Sequence, residues 1–206
     1  MVIAKEPLPG RVKTRLCPPL TPVQAAEVAG AALTDTLRAV AYTPAARRIV
    51  VLEGRPGAWL PDGVEVVAQE AGGLDVRLAG AFAMVDGPAL LVGMDTPQLR
   101  PCHLASASEA LGDGAEAVLG RACDGGFWAV GLRRPAPWIF CGVPMSTPAT
   151  GELQLRRLVA SGHDVTVLPP LRDVDRAEDL VPVAKQAPGT CFASAVERLL
   201  AEGVLT

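Results

Sequence analysis

The chain of 206 residues is half hydrophobic and one-fifth charged, a composition that excludes disordered and fibrous classes and a length for which one domain over residues 1–206 is expected. Its formal charge of −3 leaves no broad basic face, which excludes a general binder of nucleic acid or anionic membrane. Five cysteines without CxxC spacing, no run near the ~18 apolar residues of a membrane span, and no apolar leader before a small-residue cleavage site set the expectation of reduced thiols, no zinc site and a cytoplasmic location.

The first apolar run, Val2 to Ala4, reads as a strand. "KEPLPGRVKTRL" follows it, and holds two of the only three lysines, Lys5 and Lys13, together with Arg11 and Arg15. The stretch is neither a Walker loop nor a dinucleotide fingerprint, yet its logic is that of a phosphate cradle. Gly10 lets the backbone turn close to a ligand, and Arg11, Lys13 and Arg15 offer fork-shaped and point-charge donors. The alternative is a solvated basic loop. "TPVQAAEVAGAALTDTLRAV" then predicts a helix in which Thr21 caps, Pro22 takes the first position and Gln24 completes a capping box.

Strands are expected at Ile49 to Leu52 and Val64 to Val67. In "QEAGGLDVRL", Gly72 and Gly73 precede a helix with Asp75 in its first turn, so Gly73 and Asp75 either line a nucleotide pocket or simply start the helix. The strand Ala89 to Met94 ends at Asp95 in "LLVGMDTPQL". A carboxylate at the end of a strand suited to full burial is expensive unless a cation or hydrogen bonds satisfy it. A hard ion such as Mg²⁺ would do so, and capping of the next turn with Thr96 and Pro97 is the alternative. After Ala117 to Leu119, "ACDGGFWAVGL" sets Asp124 beside a Gly-Gly turn, suited either to an acceptor hydroxyl or base role or to a plain hairpin. The next strand is Trp128 to Leu132. The Pro-rich residues 133–148 read as a long surface excursion, and "MSTPATG" as a polar loop leading into a helix. The last strand, Val165 to Leu168, leads to "LRDVDRAEDL", where Asp175 and Glu178 have capping-box spacing. His103 and His163 lack metal-ligand spacing and are expected to be structural.

Alternation of strands and helices, with near-continuous apolar strands such as "ALLVGM", favours a Rossmann-like α/β fold: a mostly parallel sheet between two helical layers. Ligands of open α/β sheets bind beyond the carboxyl ends of the strands. The basic loop, "GMDTP" and "RDVD" would then share one rim.

Taken in order, "IAKEPLPGRVKTRLCPPLTP", "DTL", "GGLDVRL", "LLVGMDTPQL", "DGGFWAVGL", "GVPMSTPATG" and "RDVDRAEDL" resemble the bacterial glycosyltransferase A-type family that includes arsenosugar-biosynthesis glycosyltransferases. "KTRL" and "DVD…EDL" are also similar to the phospholactate guanylyltransferases, which share the nucleotide-diphospho-sugar transferase fold. The resemblance runs from residue 1 to about residue 180. It implies a nucleotide held by the first loop, around Ala4 and Lys5, with Gly10, Arg11, Lys13 and Arg15 on the phosphates. It further implies Mg²⁺ or Mn²⁺ on Asp95 with Asp175 as second ligand, Asp173 being the alternative. Lys13 and, on the acceptor side, Asp124 become the catalytic candidates. The chain reads "DVDR" where "DVDT" is usual, and begins almost inside its first strand.

The leading expectation is a metal-dependent glycosyltransferase that uses a nucleotide-sugar donor and a small-molecule acceptor. A nucleotidyltransferase carrying NMP from an NTP to a phosphorylated or carboxylated acceptor comes second, and a non-catalytic nucleotide-binding module third. Base, sugar, acceptor and oligomeric state have no signature in the sequence.

Overall fold

The structure, a computed structural model, describes residues 1–205. Seven strands pair into one sheet: β1 (Val2–Lys5), β2 (Ile49–Glu53), β3 (Glu65–Ala68), β4 (Ala89–Gly93), β5 (Ala117–Ala122), β6 (Phe127–Leu132) and β7 (Val165–Leu171). Their order is β3-β2-β1-β4-β6-β5-β7. Every pairing is parallel except those of β6, which runs antiparallel to β4 and β5. Each strand coincides with an expected apolar run. The last runs three residues further than expected, through Pro169 and Pro170, which an edge strand tolerates because its outer N–H groups have no ladder to join.

Strand side chains alternate between two buried faces. Val2, Ala4, Val50, Leu52 and Val92 pack under α1 (Pro22–Ala41) and α3 (Pro101–Asp113). Ile49, Val51, Leu91, Leu119 and Val130 pack under α2 (Leu74–Ala83) and α4 (Thr150–Ala160). The expected α/β/α layering follows directly, because a strand apolar on both faces must be covered on both.

α1 begins as its sequence dictates. Thr21 Oγ1 accepts from the Gln24 N–H at 3.3 Å, and Gln24 Oε1 accepts from the Thr21 N–H at 2.9 Å. The helix is buried on two sides. Leu33 and Leu37 face the sheet, whereas Val28 and Ala32 meet α5 (Ala177–Gln186) and α6 (Cys191–Ala201) through Leu180, Phe192 and Val196.

Asp35 joins α1 to α6. Its carboxylate is buried and accepts the N–H groups of Cys191 at 3.1 Å and Phe192 at 2.8 Å, two of the donors that the start of α6 leaves without intrahelical partners. Asp35→Ala strands both donors and is expected to cost roughly 2–3 kcal/mol. Urea unfolding should show a lower midpoint with an unchanged slope.

Two local expectations are corrected. Residues 133–148 do not simply skirt the surface: Ile139, Phe140 and Val143 are buried, and the Phe140 ring lies 5.0 Å from that of Phe82 on α2. The apolar content of "PWIF" outweighs its prolines. The α5 cap is not Asp175 with Glu178. Asp179 Oδ2 instead accepts from the N–H groups of Asp175 at 3.1 Å and Arg176 at 2.8 Å. The Asp175 side chain is thereby left for another partner.

Candidate functional site

From β1 the chain fills one side of the sheet with β2 and β3, then crosses to β4 on the other. The crevice between β1 and β4 is therefore a topological switch point, where the loops at the carboxyl ends diverge. A cleft of about 960 Å³ opens there. A second cavity, about 630 Å³, lies among Val40, Pro88, Leu104 and Leu111 and holds none of the three charged motifs.

At the β1 edge, the carbonyls of Ala4 and Val51 accept from Gln69 Nε2 at 2.6 and 3.0 Å. Gln69 Oε1 in turn accepts from Arg77 Nη1 at 2.8 Å, and Arg77 also bonds Glu53. Lys5 Nζ lies 3.3 Å from the same Glu53 carboxylate. The hydrogen bond from Arg77, with help from Lys5, holds the Glu53 carboxyl below the usual carboxylate range. Gln69, Glu53 and Arg77 were not among the residues expected from sequence. Their strand-end and first-turn positions become informative only once β2, β3 and α2 are brought together beside β1.

In the centre, the basic loop folds onto the acidic ones. Lys13 adopts left-handed backbone angles (φ 49°, ψ 37°). Its Nζ donates to the Val174 carbonyl and lies 2.8 Å from Asp95 Oδ2, with only 11% of the side chain exposed. The β4 and β7 loops also join directly, since the Val174 N–H donates to the Asp95 carbonyl at 2.9 Å. Arg15 Nη1 lies 2.9 Å from Asp175 Oδ2. Gly10 and Arg11 are exposed, and the cleft lining includes neither of them nor Lys13, which meets the cleft through Asp95. Gly73 serves as the cap position of α2, and the Asp75 carboxylate accepts the Gly142 N–H at 3.3 Å, tying α2 to residues 133–148.

At the far edge, Asp124 Oδ1 accepts the Gly126 N–H at 2.7 Å and closes the β5–β6 hairpin, so the turn reading and the cleft position hold together. The close approach allowed by the glycine pair is made by the chain itself. A Cβ on Gly125 would sit 1.9 Å from the Pro148 carbonyl oxygen, and one on Gly151 would sit 2.3 Å from that of Gly126.

Asp173 carries the most perturbed carboxyl. Burial, then the neighbouring Asp124 and, less, Asp95 push it up from 3.8 to about 6, although Lys13 pulls the other way. A raised folded-state value means stability that is fully present below the unfolded value near 3.8 and lost as pH rises through about 6. Asp173→Asn is therefore expected to melt a few degrees higher than the parent protein at pH 7.5, with the advantage gone near pH 4. Melting curves at the two pH values check this.

The donor set suits a hard divalent cation, being made of carboxylate oxygens. The Thr96 hydroxyl, buried and without a partner beside Asp95, and the crowded Asp173 both fit a positively charged guest. Among the described residues, however, no three His, Cys, Asp or Glu side chains converge as a ready ligand set. Protein cations already occupy Asp95 and Asp175.

No helix among the described residues is long and apolar enough to cross a membrane. No curated protein matches the chain. Among solved structures, the fold is similar to a protein of Desulfovibrio desulfuricans G20 assigned as a nucleotide-diphospho-sugar transferase, at 23% identity over 97% of this chain and 94% of that one, with a TM-score of 0.86. It is also similar to Rv0371c of Mycobacterium tuberculosis H37Rv in complex with manganese, at 26% identity over 88% and 94% of the chains, with a TM-score of 0.54. The 2-C-methyl-D-erythritol 4-phosphate cytidylyltransferase of Thermus thermophilus shares 15% identity over 90% and 97%, with a TM-score of 0.54. The expected fold class is thus the observed one. A family profile matches residues 26–147, more than half of the chain, which belongs to the bacterial family described as "Uncharacterized protein conserved in bacteria (DUF2064)".

Proposed function

We propose that the protein is a divalent-metal-dependent glycosyltransferase that uses a nucleotide-sugar donor. The observation that carries this reading is the rim at the β1–β4 switch point, where Lys13 and Arg15 face Asp95, Asp173 and Asp175. Such a rim supplies both halves of a diphosphate site: cations for the phosphate oxygens and carboxylates for the accompanying metal. The arsenosugar-type resemblance of the sequence, the nucleotide-diphospho-sugar transferase assignment of one structural relative and the manganese bound by another point the same way.

Asp95, together with Asp173 or Asp175, would hold Mg²⁺ or Mn²⁺. The ion would supply charge neutralisation at the leaving diphosphate. Lys13 and Arg15 bind and orient that diphosphate. Asp124 keeps one carboxylate oxygen on the Gly126 N–H and leaves the other for an acceptor hydroxyl, whose proton it takes as the oxygen attacks the anomeric carbon. The bond from that carbon to the phosphate oxygen breaks, and the nucleoside diphosphate departs with its electron pair. Arg11 is exposed, whereas Lys13 and Arg15 are the loop cations that meet the carboxylates of the rim, a pair that suits a diphosphate better than a free triphosphate.

Nucleotidyl transfer is the second reading, favoured by the cytidylyltransferase among the structural relatives. The two differ in product. Incubating the protein and Mn²⁺ with nucleotide sugars should release nucleoside diphosphate, accelerated by the right hydroxylated acceptor. Acceptor-dependent pyrophosphate release from nucleoside triphosphates would overturn the choice.

A further inference from the structure

The cleft holds an arrangement that its proposed function does not by itself require. Lys13 is the least exposed cation among the ion pairs of the rim, and it sits between two loops that both carry candidate metal ligands. Its left-handed backbone is a conformation that side-chain-bearing residues rarely adopt, and it persists only where surrounding contacts hold it. The Lys13 carbonyl accepts the Leu16 N–H at 2.9 Å at the start of the turn Thr14–Leu16, while the Lys13 ammonium meets the Val174 carbonyl on one loop and the Asp95 carboxylate on the other. The ammonium thus fills the place between the β4 and β7 loops that a bridging cation would need. An ammonium and a divalent ion on the same carboxylate repel each other at close range, so each weakens the hold of the other.

We propose that Lys13 is the resident counter-ion of Asp95 and changes partner when substrate binds, releasing Asp95 as it moves onto phosphate oxygens. This rests on the metal-dependent reading above and deepens it. Phosphate and metal then favour each other, since each removes the partner that opposes the other, and by linkage the coupling is reciprocal. Metal alone binds weakly because it must expel Lys13. A metal-free polyphosphate binds weakly because Lys13 is engaged. Together they exchange the pair without leaving a buried charge unmatched.

Two simple probes test the exchange on the full chain. Mn²⁺ alone, followed by electron paramagnetic resonance of the free ion, should bind Lys13→Met about tenfold more tightly than the parent, within the usual range of coupling energies. That gain should vanish when Asp95→Asn is added. Inorganic tripolyphosphate in the presence of chelator, followed calorimetrically, should bind Asp95→Asn several-fold more tightly than the parent. Asp124→Asn, which removes the same charge from the rim without touching Lys13, should bind it with little change. Mn²⁺ affinity unmoved by Lys13→Met, or a gain that persists beside Asp95→Asn, overturns the exchange. Equal polyphosphate gains in the two aspartate variants do the same. Should Lys13→Met fail to fold, the tripolyphosphate arm decides alone. If Mn²⁺ binds the parent through Asp95 and Lys13→Met changes nothing, only the exchange falls. If Mn²⁺ binds neither protein, the metal-dependent reading falls with it.

Discussion

Asp95→Asn should lower turnover about a thousandfold, the upper end of what one removed electrostatic contact costs at a preorganised site, while leaving the protein folded. The change keeps the shape of the side chain and an oxygen that can still accept from Lys13. It removes the charge that would hold a divalent ion, so the leaving diphosphate loses its main source of neutralisation. The cost to stability should be small. Asp95 is 40% exposed, its pairing with Lys13 is partly screened, and Lys13 keeps its bond to the Val174 carbonyl. Product release under saturating donor, alongside urea unfolding of both proteins, separates the two effects. A variant that unfolds, or one that turns over at the parental rate, would show Asp95 to be a structural residue.

The largest loss of stability is expected from Gly125→Ala. Gly125 has φ +92°, where a Cβ is strained, and the added carbon would sit 1.9 Å from the Pro148 backbone oxygen. No side-chain rotation relieves a clash with main chain. The Gly151 N–H also donates to the Gly125 carbonyl at 2.8 Å, so the hairpin cannot move without breaking the start of α4. Backbone strain and overpacking each cost about 1–3 kcal/mol, which puts the combined loss at about 3 kcal/mol or more. Activity should fall as well, because Asp124 is held by the same turn. Thermal unfolding checks the first effect. Comparison with Gly142→Ala, a positive-φ glycine with open space around it, isolates the clash from the strain.

How much of this was legible beforehand depended on the range of the interaction involved. Strand positions and the start of α1 rest on local chemistry: apolar runs bounded by turn residues, and a Thr-Pro-x-Gln cap whose partners lie three residues apart. The rule that ligands gather at the carboxyl ends of strands then sufficed to bring the basic loop, Asp95 and Asp175 to one rim. Local pattern failed wherever a distant partner competed. Asp175 and Glu178 have the spacing of a cap, but Arg15, 160 residues away in sequence, takes Asp175, and Asp179 does the capping.

The sequence by itself determined which residue types were available at the strand ends, and hence the class of chemistry: carboxylates, cations and turn glycines around an apolar sheet. Which carboxylate meets which cation was decided only by the tertiary structure. Arg11 and Lys13 are equivalent in a pattern of alternating charge, yet a left-handed turn at Lys13 buries one ammonium against Asp95 and leaves the Arg11 guanidinium in solvent. The glycine pair after Asp124 likewise permitted some close approach, and the fold chose Pro148 and Gly151 to make it. The physical reason is common to both. Hydrophobic periodicity is written in neighbours along the chain, whereas the energy of a buried charge or a backbone contact depends on what the other loops bring to within a few ångströms.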